Sequence, residues 1–117
     1  MSRILPALAL CAALAPGSGE AQLNPLKSQI GLEQEDLEQM GAAAARLYEA
    51  PEPRPGSVEQ WQSSTGASGS VRLVEAFEFD GMPCRRLAHT VQRQATADPQ
   101  GFTVDRCQTA DGEWKIR

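Results

Sequence analysis

The sequence predicts an α+β fold: an N-terminal helix packed on a small antiparallel β-meander of four to five strands, with one disulfide. Three observations lead to this prediction. Apolar residues follow a helical period only between residues 32 and 50, short β-type segments separated by turn residues follow Pro51, and two of the three cysteines lie among those segments. A helix followed by a run of strands is typical of the α+β class.

The helix is predicted from an apolar stripe in LEQEDLEQMGAAAARLYEA, residues 32–50. The stripe recurs at steps of three and four residues, which places it on one side of a helix. Its members are Leu37, Met40, Ala44 and Leu47, with Tyr48 alongside. Acidic residues crowd the first turns, where the helix dipole favours them, and Pro51 ends the helix.

Beyond a stiff proline-rich connector at 51–56, the chain predicts strands separated by turns rich in glycine, aspartate and small residues. The predicted strands cover residues 57–64, 70–79, 84–94, 101–109 and 113–117. In the second strand, Val71, Leu73, Phe77 and Phe79 are predicted to share one face. Glu75 interrupts that pattern.

The first twenty-one residues are typical of a secretory signal peptide. Arg3 supplies the positive start, an apolar run follows, and the small residues Gly19 and Ala21 precede a predicted cleavage site. Residues 22–31 are predicted to be a flexible lead. A lipoprotein reading of Cys11 is disfavoured because Leu10 stands where that signal needs a small residue. Removal of Cys11 leaves two cysteines, an even number that predicts one disulfide in an oxidising compartment.

A register for the last long hairpin follows if Cys84 and Cys107 face each other across antiparallel strands. Leu87 then lies opposite Val104, and His89 lies opposite Phe102. Opposite charges meet in two further pairs, Arg86 with Asp105 and Arg93 with Asp98, whereas Arg85 opposite Arg106 is unfavourable. This register centres on Ala95 and Thr96, although Asp98, Pro99 and Gly101 are the stronger turn residues. A bulge or an asymmetric loop is therefore expected.

Composition limits the classes of function. The chain has a formal net charge of −4, which argues against a nucleic-acid-binding role, since phosphate binding needs clustered Lys and Arg. Two cysteines and a distant single histidine, His89, do not have the spacing of a metal site. We therefore predict no metal, no cofactor and no transmembrane helix in the mature chain, and a lipid anchor on Cys11 is disfavoured.

Three segments resemble the C-terminal domain of the bacterial seventeen-kilodalton surface-antigen family: VEQWQSSTGASGSVRLVEAF, CRRLAHTV and DRCQTADGEWKI. The resemblance covers residues 32–117, which we take as a surface-antigen-like domain. The positions that carry it are Trp61, Gly66, Gly69, Val71, Cys84, Arg85, Cys107, Asp111, Gly112, Trp114 and Ile116. Many family members are anchored at the outer membrane, and the family transfers no enzymatic residues. This chain lacks the glycine-zipper segment of many members and has Gln108 where the family has arginine.

The resemblance and the export signal predict a non-enzymatic cell-envelope protein, in the periplasm or at the outer-membrane surface, that has a structural or protein-binding role. Its partner is an unknown envelope protein or component, and the candidate contact residues are Arg85, Arg86, Arg93 and Arg106. The alternatives are a small periplasmic inhibitor and a ligand-binding domain. A hydrolase triad can be drawn from Ser63, Ser64, Ser68, His89 and Asp105, but no serine lies at a nucleophile turn.

Overall fold

The computed structural model of the chain describes residues 31–117. The predicted signal peptide, Cys11 and all of the predicted lead except Gly31 lie outside the described residues. Within residues 31–117, the structure has no helix that is long and apolar enough to cross a membrane.

One helix and five strands make up the described residues, in the order α1, β1, β2, β3, β4, β5. Their bounds are α1 Gln34–Tyr48, β1 Val58–Gln62, β2 Ser68–Phe79, β3 Met82–Gln92, β4 Gln100–Gln108 and β5 Trp114–Ile116. Each strand pairs antiparallel with the next one along the chain, so the sheet is a simple meander. The predicted α+β fold with a helix, a meander and one disulfide is confirmed.

The helix packs its apolar stripe on β1 and β2. Its buried side chains include all four predicted stripe residues and Ala43. Across from them in the sheet, Val71 and Leu73 are 0 and 1% exposed. Because each fully buried aliphatic side chain contributes about 1.5–3 kcal/mol, this contact supplies a large part of the stability of so small a domain.

The helix N-terminus is attached to the turn between β1 and β2 by carboxylates. Asp36 accepts hydrogen bonds from the backbone N–H of Glu33 at 2.8 Å and from Oγ1 of Thr65 at 2.6 Å. Glu35 accepts two bonds from Ser64, from its N–H at 2.9 Å and from its Oγ at 2.6 Å. Burial acts to raise the pKa of Asp36, but hydrogen bonds from Ser63, Thr65 and Glu33 outweigh it and leave that pKa below its usual value.

The first and last hairpins use the same five-residue turn. In residues 63–67 the N–H of Ser63 donates to the carbonyl of Ala67, and Gly66 donates back to Ser63. Residues 109–113 repeat both bonds. Gly66 and Gly112 hold the same place, with φ of 98 and 91°, a left-handed conformation that favours glycine. Gly66 and Gly112 therefore close the first and the last hairpin.

The connection between β3 and β4 differs from the expected one. Pairing continues without a shift from Cys84 opposite Cys107 to Val91 opposite Gln100, so the expected bulge or asymmetric loop is wrong. The turn is centred on Ala95 and Thr96, where the N–H of Ala97 donates to the carbonyl of Gln94 at 3.0 Å. The Gln92 amide donates to two carbonyls of this loop, those of Ala95 and Ala97. These side-chain bonds stabilise a turn that lacks strong turn residues at its centre.

A bulge does occur, but in β2. The pairing of β2 with β3 shifts between Leu73, opposite Leu87, and Glu75, opposite Arg86, so that Val74 is an extra residue. Side chains beyond the bulge exchange faces relative to those before it. The prediction that Phe77 and Phe79 share a face with Val71 and Leu73 is therefore wrong. Phe77 lies opposite Cys84, on the other side of the sheet.

The disulfide joins Cys84 and Cys107 across β3 and β4, with their Cα atoms 4.0 Å apart. Both residues are buried, at 0 and 4% exposure. The predicted register is present from the disulfide to Val91 opposite Gln100, with Leu87 opposite Val104, His89 opposite Phe102 and Arg86 opposite Asp105. Arg93 and Asp98 are not a ladder pair, because β3 ends at Gln92 and β4 begins at Gln100.

Removal of the disulfide by the double substitution Cys84→Ala and Cys107→Ala should lower the free energy of unfolding by about 3 kcal/mol, because the bond closes a loop with a sequence separation of 23. Urea unfolding measures this loss. Reducing agent should destabilise the wild type but leave the double variant unchanged. Equal unfolding midpoints for the oxidised wild type and the variant would contradict this account.

Gly69 lies beneath the indole of Trp61. A Cβ at residue 69 would come within 2.7 Å of the Trp61 Nε1 atom and within 2.4 Å of the Thr90 carbonyl oxygen. Neither atom can move away easily, because the carbonyl belongs to the β3 backbone and Trp61 is only 4% exposed. Glycine at position 69 is therefore a steric requirement of the Trp61 packing.

Gly69→Ala should lower the free energy of unfolding by about 1–3 kcal/mol, the usual cost of overpacking. The matched control is Gly41→Ala in α1, where a Cβ would meet nothing within 4 Å. This control should stabilise the chain by about 0.5–1 kcal/mol, because alanine is the better helix former. Urea unfolding of both variants is the test, and a stabilised Gly69→Ala variant would refute the packing argument.

Candidate functional site

The sheet has two faces with different chemistry. We call the side that carries Val71, Leu73 and Leu87 the helix face, and the side that carries Cys84, Arg86 and Thr90 the far face. Successive side chains of a strand alternate between them. Because the register is fixed by the pairing, each candidate residue can be assigned to one face.

A groove of about 580 Å³ lies where β1, β2 and β3 meet the loop that precedes β4. Six of its lining residues are polar and lie at paired positions on the far face. They are Gln60, Gln62, Ser68, Ser70, Thr90 and Gln92. Trp61, Gly69 and Pro99 complete the lining.

Every polar side chain of this groove is an uncharged amide or hydroxyl. Such groups both donate and accept hydrogen bonds. Among the described residues, no lysine, arginine, aspartate or glutamate lines the groove. The arrangement therefore suits a ligand that presents hydroxyl or amide groups and carries no net charge at the contact.

Arg86 belongs to an ion-pair network on the far face. Its Nε donates to Asp105 at 2.9 Å, and its Nη1 donates to Glu75 at 3.1 Å. Its guanidinium also lies 5.0 Å from the ring centroid of Phe77. Arg117 approaches the same Asp105 carboxylate at 3.7 Å. The hydrogen bond from Arg86 is the main cause that lowers the pKa of Asp105.

Arg85 and Arg106 lie on the helix face, directly opposite each other in the ladder. The guanidinium of Arg85 lies 5.0 Å from the ring centroid of Trp114, and that of Arg106 lies 4.8 Å from that of Tyr48. The two rings are 5.5 Å apart. Trp114, named from the sequence as a structural residue, therefore connects the end of α1 to β5.

The four candidate contact arginines do not form one surface. Arg86 lies on the far face, Arg85 and Arg106 lie on the helix face, and Arg93 is exposed in the connection between β3 and β4. Arg93 directly follows Gln92, a lining residue of the groove. Whether any of them contacts a partner stays a prediction.

The residues of the hypothetical triad are not brought together. His89 is buried on the helix face, where its ring stacks on Phe102 at 4.7 Å. Asp105 lies on the far face in the ion pair with Arg86. Ser63 and Ser64 lie in the first turn, where Ser64 is bonded to Glu35, and Ser68 lies in the groove. Among residues 31–117, no group of three or more His, Cys, Asp or Glu could hold a metal ion.

The groove was not identified from the sequence, although a signal exists. Polar residues alternate at two-residue steps in three strands, as in Gln60 and Gln62, Ser68 and Ser70, and Thr90 and Gln92. This alternation is typical of any solvent-facing side of a sheet until the register aligns the three strands.

No family model, curated protein or solved structure matches the chain.

The buried His89 makes the stability of the fold depend on pH. Burial, together with the positive charge of Arg106, lowers the pKa of His89 from 6.5 to about 4. The unfolded chain therefore binds more protons than the folded chain between these two values. With respect to this group, the free energy of unfolding is therefore highest above the unfolded pKa, and it decreases as the pH drops through this window.

The unfolding free energy should decrease by about 2 kcal/mol between about pH 7 and about pH 4.5 because of this one group. Chemical unfolding at a series of pH values measures it. In the variant His89→Phe, which keeps an aromatic ring against Phe102, the decrease over the same range should largely disappear. An equal decrease in the variant would assign the pH dependence to other groups.

Proposed function

We propose that this chain is a non-enzymatic binding module of the bacterial cell envelope, similar to the seventeen-kilodalton surface antigens, and that it works in the periplasm or at the outer-membrane surface. The observation that carries the proposal is the buried disulfide between Cys84 and Cys107. Such bonds persist in oxidising compartments and are rare in the cytosol. The signal-like first twenty-one residues support the same compartment.

The groove on the far face is the proposed contact surface for an envelope component. It is concave, and its amide and hydroxyl groups can satisfy a polar partner without charge. The uncharged donors and acceptors that line it also fit the second candidate function, a small-ligand-binding domain. The separation of His89 from Asp105 on opposite faces supports a binding role over hydrolysis.

The compartment is tested by fractionating cells that express the full chain and measuring the intact mass of the isolated protein. A signal peptide cleaved after Ala21, no lipid, and a mass two hydrogens below that of the reduced form are expected. Free thiols at both Cys84 and Cys107, or an uncleaved chain in the cytosol, would reject the proposal.

The contact surface is tested with two matched substitutions. Thr90→Glu places a carboxylate in the groove, whereas Thr103→Glu places one on an exposed far-face position of β4 outside it. In capture experiments from a crosslinked envelope fraction, a partner recovered with the wild type should be reduced at least tenfold with Thr90→Glu and unchanged with Thr103→Glu. Equal recovery with both variants would exclude the groove as the contact.

A further inference from the structure

Two like charges face each other in the sheet. Arg85 and Arg106 are directly opposite in the β3–β4 ladder and extend from the helix face. Like charges at such positions destabilise a sheet. An interaction that compensates the repulsion between these two arginines is therefore expected.

No acidic side chain of residues 31–117 compensates these charges. The ion pairs of this part of the chain involve Arg46, Arg86, Lys115 and Arg117, and none includes Arg85 or Arg106. The contrast with Arg86 is direct, because this neighbour of Arg85 has two carboxylates within 3.1 Å. The positive charge of Arg106 also contributes to lowering the pKa of His89, which shows that the two side chains are close.

The two arginines are also incompletely hydrogen-bonded. Arg85 is 9% exposed, and burial lowers its pKa. Its Nη1 donates to the Cys84 carbonyl at 3.0 Å, but its Nε and the Nε of Arg106 are buried without an acceptor from residues 31–117. Such donors cost free energy, and an unpaired buried charge costs more. An acceptor that carries negative charge would remove both penalties.

Aromatic rings fix the two guanidinium groups. Arg85 lies over Trp114 and Arg106 lies over Tyr48. A cation–π contact offsets part of the desolvation cost and restrains the plane of the guanidinium. A planar guanidinium carries parallel N–H donors that match the two oxygens of an oxyanion. Arg106, Tyr48 and Trp114 are each half-buried, so the cluster can be reached from solvent.

We propose that Arg85 and Arg106 form a binding site for an oxyanion, the carboxylate or phosphate group of a ligand, beside the aromatic pair of Tyr48 and Trp114. The site lies on the helix face, whereas the groove lies on the far face. The proposal therefore does not depend on the proposed function, and either can fail without the other.

The test is an NMR titration of the folded, oxidised chain that follows the Nε–H signals of the arginines. Inorganic phosphate and acetate are added in separate series, each at constant ionic strength set with sodium chloride. The signals of Arg85 and Arg106 should shift and saturate in at least one series, while that of Arg93 should follow only the salt. Saturation with phosphate alone or acetate alone identifies the preferred oxyanion.

Three variants make the test specific. Arg106→Gln should weaken binding at least tenfold, and Arg106→Lys, which keeps the charge but loses the planar donor pair, should weaken it by a smaller factor. Arg93→Gln removes the same charge from the exposed loop and should bind as the wild type does. Because Arg106 is only half-buried, its substitution should leave the fold intact. If a variant does not fold, the wild-type titration alone can still refute the proposal.

A second readout is the thermal unfolding midpoint. The oxyanion should raise it in the wild type and in Arg93→Gln, relative to sodium chloride at the same ionic strength, but not in Arg106→Gln. Linear, non-saturating shifts of all arginines in both series would overturn the proposal. Equal weakening by Arg93→Gln and Arg106→Gln would also overturn it, because the effect would then be one of net charge.

Discussion

The antiparallel register that joins Cys84 to Cys107 decides the face on which each side chain of β3 and β4 lies. Since side chains alternate strictly, this one pairing places Leu87 and Val104 towards the core and Arg86 beside Asp105. It also forces Arg85 to face Arg106. A covalent bond can hold a pairing that charge repulsion opposes, so the disulfide allows two cations to be kept side by side.

Much of this fold could be predicted because the relevant information is pairwise and local. The helix follows from the spacing of Leu37, Met40, Ala44 and Leu47, and the long hairpin follows from matched partners around two cysteines.

The bulge at Val74 could not be predicted in the same way. Neither glycine nor proline marks it, and the extra residue becomes visible only when β2 is aligned with β3. The bulge or asymmetric loop expected between β3 and β4 is wrong because regular strand pairing, supported by the Gln92 amide, outweighs the turn preference of the aspartate, proline and glycine that follow.

The two sites differ in how far they could be predicted. The opposition of Arg85 and Arg106 follows from the predicted register, but their burial and aromatic contacts depend on where α1 and β5 end, which a sequence pattern fixes poorly. The groove requires three strands to be aligned at once, and serine, threonine and glutamine are common on any solvated strand. Its distinguishing property is that the aligned strands meet the loop that carries Pro99 and enclose a groove of about 580 Å³ with it.

The short strands at the two borders of the sheet leave open edges on their longer neighbours. The strand β1 has five residues and β5 has three, and they pair only with residues 68–72 of β2 and residues 106–108 of β4. Within residues 31–117, the stretches 75–79 of β2 and 100–104 of β4 therefore have no strand on their outer sides. Unpaired backbone groups on such an edge are a template for an incoming strand, so pairing with another chain is directed to these two stretches.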